Sequence, residues 1–226
     1  MQPRLDISGL KFKTVSTVSV TAEDHRLMQS LFDACYLEAD HRYFEKSLAH
    51  LLYVTFAWDE AGSPAGFGIA DSVVHDLPRL PLTTLTLGGL CCVLPEFHDR
   101  GLVGALEARS IGAAGVVSEG RWMTCGQMAN PEAFRLMAAN PTAVPRPGVT
   151  PTPWQQEVGQ AVAGVYRVEN FDPETFVCAG AGKPIGYPVT ELEANEDELE
   201  VFKPVDRDRG DVLLGIAWTP TAPADW

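Results

Sequence analysis

The sequence predicts an α/β protein, of the α+β mixed-sheet kind, and three observations carry that prediction. Strand-type alternation and helix-type spacing take turns along the chain. A short apolar run, Cys91-Cys92-Val93-Leu94, stops at Pro95 and a polar turn before Gly101 and Gly104 open an amphipathic stretch, which is the order strand, loop, helix. The 226 residues, 46% of them hydrophobic, are enough for one sizeable core, or for a core with an appended subdomain.

Taken in order, Leu10 to Val20 alternates apolar residues with Thr, Ser and Lys, as a half-buried first strand does. Thr21 can cap a helix, with Asp24 completing a near capping box. That helix runs to about Cys35 with Leu27, Met28, Leu31 and Phe32 on one face. Asp40 to Leu48 is a second helix. Leu51 to Trp58, rich in β-formers, and Ala65 to His75 flank the turn Asp59 to Pro64 and form a hairpin. Pro78 to Pro81 interrupts the chain before a strand over Leu82 to Leu94, which carries Gly88-Gly89 in its middle. Glycine inside a strand marks a bulge or a close backbone approach. Arg121 to Met128 is the next strand, and Asn130 caps the helix that Pro131 begins. Beyond residue 140 the character changes. Pro141, Pro145, Pro147, Pro151 and Pro153 make a stiff connector. Trp154 to Tyr166 has helical spacing at Val158, Ala161, Val162 and Val165. Glu191 to Glu200 reads as an acidic, solvated loop or exposed edge, and Val212 to Trp218 as a late buried strand.

The stretch Cys91 to Leu106 aims free backbone N–H groups and the positive end of a helix at one point, where a phosphate group fits. It resembles the acyl-coenzyme A signature of the GNAT superfamily of N-acyltransferases, in which a strand ends in V-x-P and Q/R-x-x-G-x-G/A leads into a helix. Val93-Leu94-Pro95 matches the strand end, Gly101 the first glycine, and Gly104-Ala105-Leu106 the helix continuation. His98 stands where the family prefers Gln or Arg, and Val103 where it prefers Gly or Ala. Asn130-Pro131-Glu132-Ala133 resembles the later family motif, in which an Asn and an Ala lead a helix beside the pantetheine arm. The resemblance covers roughly residues 15 to 140. It implies a central twisted sheet with a splayed strand pair and helices on both faces, with pantetheine entering at the Gly88-Gly89 distortion and pairing with strand backbone. It assigns acyl-coenzyme A contacts to Cys91, Val93, His98, Asp99, Arg100, Gly101, Leu102, Val103, Gly104 and Asn130. Residues 1–140 are then the catalytic domain and 141–226 an extension packed on the core of its own chain or of a dimer mate.

Composition narrows the alternatives. The net charge is −13, with −5 up to residue 140 and −8 beyond. Clustered Lys and Arg are missing, which argues against nucleic acid. The acidic excess suits solubility, and it also suits a cationic acceptor such as an amine. No run approaches the roughly 20 apolar residues that span a bilayer, so no membrane partner is expected. Met1 to Asp6 lacks the basic-then-apolar pattern of a secretory signal. Five cysteines (Cys35, Cys91, Cys92, Cys125 and Cys178) without a C-x-x-C pair argue against a disulfide framework or a zinc site. Free buried thiols in a cytoplasmic protein are the expectation.

The chemistry implied by the resemblance is direct transfer of an acetyl or other short acyl group from the coenzyme A thioester to a small-molecule or peptide amine, without a metal. The family's usual acid is a Tyr in the helix after the Asn; Met137 stands there, leaving Tyr166 or Tyr187 as substitutes. For the base, Asp71 and His75 share one face of their strand, and His75 has a suitable ordinary pKa. Its other reading is an exposed or core-satisfied histidine. Cys91 and Cys92 have apolar neighbours and no activating partner in sequence, and read as core. Two rivals remain open: a non-catalytic acyl-coenzyme A-binding or regulatory protein on the same fold, and an unrelated α/β module whose glycine turn holds another anion.

Overall fold

A computed structural model describes residues 7–116, 120–190 and 192–226. The segment Met1 to Asp6 and Glu191 lie outside the described residues. The element order is β1 (Lys11–Ser16), α1 (Ala22–Cys35), β2 (Tyr36–Leu37), α2 (His41–His50), β3 (Tyr53–Trp58), β4 (Pro64–Leu77), β5 (Leu80–Val93), α3 (Leu102–Ala113), β6 (Trp122–Met128), α4 (Arg135–Ala138), α5 (Pro153–Val165), β7 (Phe171–Asp172), β8 (Val177–Cys178), β9 (Tyr187–Pro188), α6 (Glu196–Phe202) and β10 (Val212–Thr219). The fold is mixed α/β: an eight-stranded mixed sheet in the order β1-β3-β4-β5-β6-β10-β8-β7, flanked by helices, with β2 and β9 forming a separate pair. The described residues fall into two compact units, one of 7–72, 87–116 and 186–190, the other of 73–86, 120–185 and 192–226. Both units draw on chain from either side of residue 140.

The first unit begins with the expected strand, shortened to Lys11–Ser16 because a 3-10 turn over Thr17–Ser19 ends the alternation. β1 lies antiparallel to β3, and β3 antiparallel to β4, with a register shift at Ala57/Trp58. The capping box of α1 is complete: Asp24 N–H donates to Thr21 Oγ1, and Thr21 N–H to Asp24 Oδ2. Lys13 Nζ also reaches Asp24 at 2.8 Å, and this hydrogen bond holds the Asp24 carboxyl below its ordinary range. Met28, Leu31 and Phe32 are buried on α1, where Phe32 stacks on Phe44 of α2 and Phe44 meets Phe67 of β4 edge-on. Gly89 of β5 has a packing reason. A Cβ there would lie 2.4 Å from Leu51 Cδ1 and 2.9 Å from the Ile69 carbonyl oxygen.

The second unit is organised by β10, which pairs antiparallel with β6 from Leu213–Met128 to Thr219–Trp122, and with β8 on its other edge. Two sequence expectations need correction here. The proline-rich connector is not merely a spacer: Ala143 and Val144 are buried, and Val144 exchanges both backbone hydrogen bonds with Ile216 of β10. Nor is the acidic segment all solvated loop. Asn195 caps α6 through a reciprocal box with Glu198, and the Glu198 side chain is fully buried against Arg135, which reaches both its oxygens at 2.8 and 2.9 Å. The sequence hid this because the partner charge lies 63 residues away. α5 starts at a second complete box, Thr152 with Gln155, and is anchored by Trp154 Nε1–H donating to the Pro78 carbonyl.

Two outcomes are expected. Deleting 150–226 removes β10 from the edge of β6 and opens an unpaired ladder; the truncated chain should lose solubility and its cooperative melt, as read by light scattering and circular dichroism. Arg135→Ala should cost about 2 kcal/mol in urea unfolding, because it strands a buried carboxylate. Arg135 holds the folded Glu198 pKa below its ordinary 4.5. The contribution is therefore complete above that value and is lost as pH falls through the folded pKa, so the gap between the two proteins should close in acid.

Candidate functional site

The site is built where β5 hands over to α3. Leu94 N–H donates to the Ala65 carbonyl, which ends the backbone bonding between β4 and β5. By the alternation of an antiparallel ladder the polar groups of Val93 face away from β4. A 3-10 turn over Pro95–Phe97 follows, with Phe97 buried among Ala57, Ala65, Val93, Leu102 and Leu106. The buried ring pins the turn. Asp99 (φ 60°) and Gly101 (φ 74°) then take left-handed conformations, and Gly101 is the N-cap residue of α3. A branched side chain at Gly101 would be strained there. The Gly101 carbonyl accepts from Ala105 N–H, so the N–H groups of Leu102, Val103 and Gly104 have no carbonyl of their own helix to meet. A Cβ on Gly104 would meet nothing within 4 Å. The side of Gly104 is therefore open, beside three amides that have no helical partner and the positive end of the helix dipole, an arrangement suited to a phosphate or pyrophosphate.

The flanking side chains are placed as follows. Val103, which takes the position of a small family residue, packs against the apolar cluster. Arg100 is exposed, with its guanidinium 5.4 Å from the Phe97 ring centre. The His98 imidazole donates from Nε2 to the Val93 carbonyl at 3.0 Å, and the same oxygen accepts from the Cys35 thiol at 3.4 Å. Val93 O is thus engaged within the chain, and His98 acts as a brace of the loop. Cys91 is half-buried against the same cluster, and burial pushes its thiol well up, with Glu107 adding to the effect. In the second unit Asn130 stands before a 3-10 turn over Pro131–Phe134. Its carbonyl accepts from Ala133 N–H, but its side chain makes no capping bond, contrary to the strong side-chain cap expected. The side chain is buried, with Oδ1 lacking a donor.

The two base candidates differ in setting. Asp71 is buried and accepts from the N–H groups of Leu52 and Ser72, and desolvation raises its carboxyl pKa. His75 is exposed. Met137 is buried in the core of the second unit, and the Tyr166 hydroxyl is committed to the Cys125 carbonyl at 3.0 Å. Tyr187 is half-buried in β9. Sequence reasoning missed Glu107, whose carboxyl is pushed up to about 7 by burial. Its signal was available: it is the one acidic residue of α3. Among the described residues no group of three His, Cys, Asp or Glu could hold a metal ion, and no helix is long and apolar enough to cross a membrane.

No family model matches this chain, and no curated protein does. Among solved structures it is similar to the ribosomal-protein-S18-alanine N-acetyltransferase of Escherichia coli, at 13% identity over 96% of this chain and 99% of that one, with a TM-score of 0.40. It is similar to Arabidopsis thaliana NAA60 in complex with acetyl-CoA, at 17% identity over 56% and 82%, with a TM-score of 0.38. It is also similar to N-acetylglutamate synthase from Neisseria gonorrhoeae complexed with coenzyme A and N-acetyl-glutamate, at 13% identity over 57% of this chain, with a TM-score of 0.37. The chain covers only 27% of that last protein's length. These matched structures are acetyltransferases. Similarity at this level assigns neither an activity nor a substrate.

Glu107 supplies a prediction. Its folded pKa of about 7 lies above the ordinary 4.5, so the native state holds a proton that the unfolded chain has lost between those values. Stability from this group is full below about pH 4.5, declines as pH rises to 7 and is flat above. Glu107→Gln should therefore raise the melting temperature more at pH 8 than at pH 5 in calorimetry.

Proposed function

We propose that the chain is an acyl-coenzyme A-dependent N-acyltransferase that moves an acetyl or other short acyl group directly to an amine acceptor, a small molecule or a peptide. The carrying observation is the start of α3, where left-handed Gly101, three amides without a helical partner and the open side of Gly104 follow directly on the strand β5. The coenzyme A thioester supplies an activated acyl group with a thiol leaving group. Leu102, Val103 and Gly104 N–H would hold its pyrophosphate, with Asp99 setting the turn and the Arg100 cation beside it. His98 would act by bracing Val93. Strand backbone near Cys91 would pair with the pantetheine arm at a splay permitted by Gly88-Gly89. We assign catalysis to residues 1–140 and read 141–226 as the extension that completes the fold. For the amine proton, His75 is the exposed candidate and Asp71 the buried one. Five free thiols fit a cytoplasmic setting.

A second reading, a non-catalytic acyl-coenzyme A sensor on the same fold, is favoured by Met137 and Tyr166. One is core and the other has its hydroxyl committed, so neither supplies the family's acid. A thermal-shift series with acetyl-coenzyme A, coenzyme A, ATP and NAD tests the shared part. Stabilisation by the first two alone is expected, and equal stabilisation by all four would remove both readings. Thiol release on adding a panel of amines then separates enzyme from sensor. In isothermal titration, Gly101→Val should weaken coenzyme A binding by about tenfold or more, because a β-branched residue cannot hold the cradle's φ. His98→Ala should lose about threefold or less, since the backbone amides carry the anion. A larger loss at His98 would reverse these roles.

A further inference from the structure

The second unit carries an open cleft of about 410 Å³, lined by the β7–β8 hairpin and, from further along the chain, by Pro204 and Arg209. That volume is in the range of small-molecule sites. Charges of both signs line it: the carboxylates of Glu169 and Asp172, and the guanidinium of Arg209. We propose that this cleft binds a small zwitterion, a molecule such as an amino acid that carries both an ammonium group and a carboxylate, with its carboxylate on Arg209 and its ammonium on Asp172 and Glu169.

The cation is fixed from behind. Arg209 Nε donates to Asp211 Oδ1 at 2.8 Å, and Nη2 donates to Asp211 Oδ2. The Asp211 side chain is fully buried. It also accepts from Gly180 N–H at 2.7 Å and from Asp206 N–H at 3.2 Å, so it cannot swing away. This fork-to-carboxylate pairing uses one edge of the guanidinium and sets its plane. The Nη1 donors lie off that edge, and the Arg209 side chain is 51% exposed. A second carboxylate therefore has donors to meet in the cleft.

The anionic side is fixed as well. Asp172 Oδ1 accepts from Glu174 N–H at 3.0 Å, and Oδ2 from the Thr175 hydroxyl at 2.7 Å. The turn behind it is pinned by Phe176, which is fully buried, meets Phe171 edge-on and donates its N–H to the Asp172 carbonyl at 2.8 Å. Each carboxylate oxygen keeps lone-pair capacity for one more donor. Glu169, exposed just before β7, adds a second negative charge to the same cleft. Both signs are thus positioned by the chain itself, and a ligand that answers both has little left to order. A simple amine would leave Arg209 unanswered, and a simple carboxylate would meet Asp172 and Glu169, so the cleft discriminates against either alone.

The test is calorimetric titration of the full chain with zwitterions of increasing length: glycine, β-alanine, 4-aminobutyrate and 6-aminohexanoate. Propylamine and propionate serve as the singly charged controls. At least one zwitterion is expected to saturate with a Kd below about 10 mM, reasonable for so small a ligand. Both controls should bind about tenfold more weakly or worse, each lacking one charged hydrogen-bonding end. Glu169→Gln and Asp172→Asn should each weaken the best zwitterion by about threefold or more. Arg209→Ala would strand the buried Asp211, so Arg209→Lys is used: it keeps a cation beside Asp211, removes the fork, and should cost about tenfold. If Arg209→Lys does not fold, the propylamine control still reads the carboxylate's part. Binding of no zwitterion, binding of either control as tightly as the best zwitterion, or unchanged affinity in Glu169→Gln and Asp172→Asn would overturn the proposal.

Discussion

The first unit depends on one close approach, that of α3 to the strand face at Gly68. A Cβ at that position would lie 2.9 Å from Leu106 Cβ and 3.4 Å from Cys91 Sγ. The space that glycine vacates lets the helix settle near enough for a buried hydroxyl relay. Ser110 Oγ donates to the Gly68 carbonyl at 3.2 Å and meets Thr55 Oγ1 at 2.8 Å, and Thr55 in turn meets Thr14 at 2.9 Å. Three elements, β1, β3 and α3, are tied by side chains that would be penalised if unpaired in the interior. The consequence reaches the site. A helix held at both Leu106 and Ser110 has a fixed axis, so the direction in which its first amides point is set by packing well away from them.

The same strand shows how alternation separates chemistry. Cys91 and Cys92 are adjacent in sequence and opposite in fate. Cys91 turns to the apolar cluster, near Glu107, where burial suppresses both its thiolate and the charge on the carboxyl. Cys92, on the other face of the strand, is buried. Only pairing and facing distinguish them, and neither is written in the local sequence.

That distinction explains what could be read beforehand. Capping chemistry was legible at Thr21 and Asp24, since three residues carry the whole signal. The turn at Gly101 was legible because the glycine order and Pro95 are local. The hairpin of β3 and β4 and the late strand β10 were legible from apolar runs. Glu198 was not, because an acidic run reads as solvated until a cation from elsewhere is brought to it. The buried connector at Val144 was not, because its partner Ile216 is fixed by tertiary pairing. Asn130 was misjudged in a more instructive way. Its residue type suits a side-chain cap, yet a 3-10 turn led by Pro131 uses only its carbonyl and leaves the carboxamide buried without a donor. A local rule failed there because the turn type, not the residue type, decided which atom of Asn130 does the capping.

The Val93 carbonyl joins these threads. It accepts from the imidazole of the loop and from the thiol at the end of α1. A carbonyl oxygen has two lone pairs, so it is fully used by two side chains that belong to different elements. His98 ties the loop to the strand end, and Cys35 ties the end of α1 to the same point. The handover from β5 to α3 is therefore held at three points, by Val93 O, by the buried ring of Phe97 and by the packing at Gly68, while the amides of α3 are left without a protein partner in their own helix. A segment so constrained needs little further ordering, so if it binds an anion as proposed, folding has already supplied the ordering that binding would otherwise require.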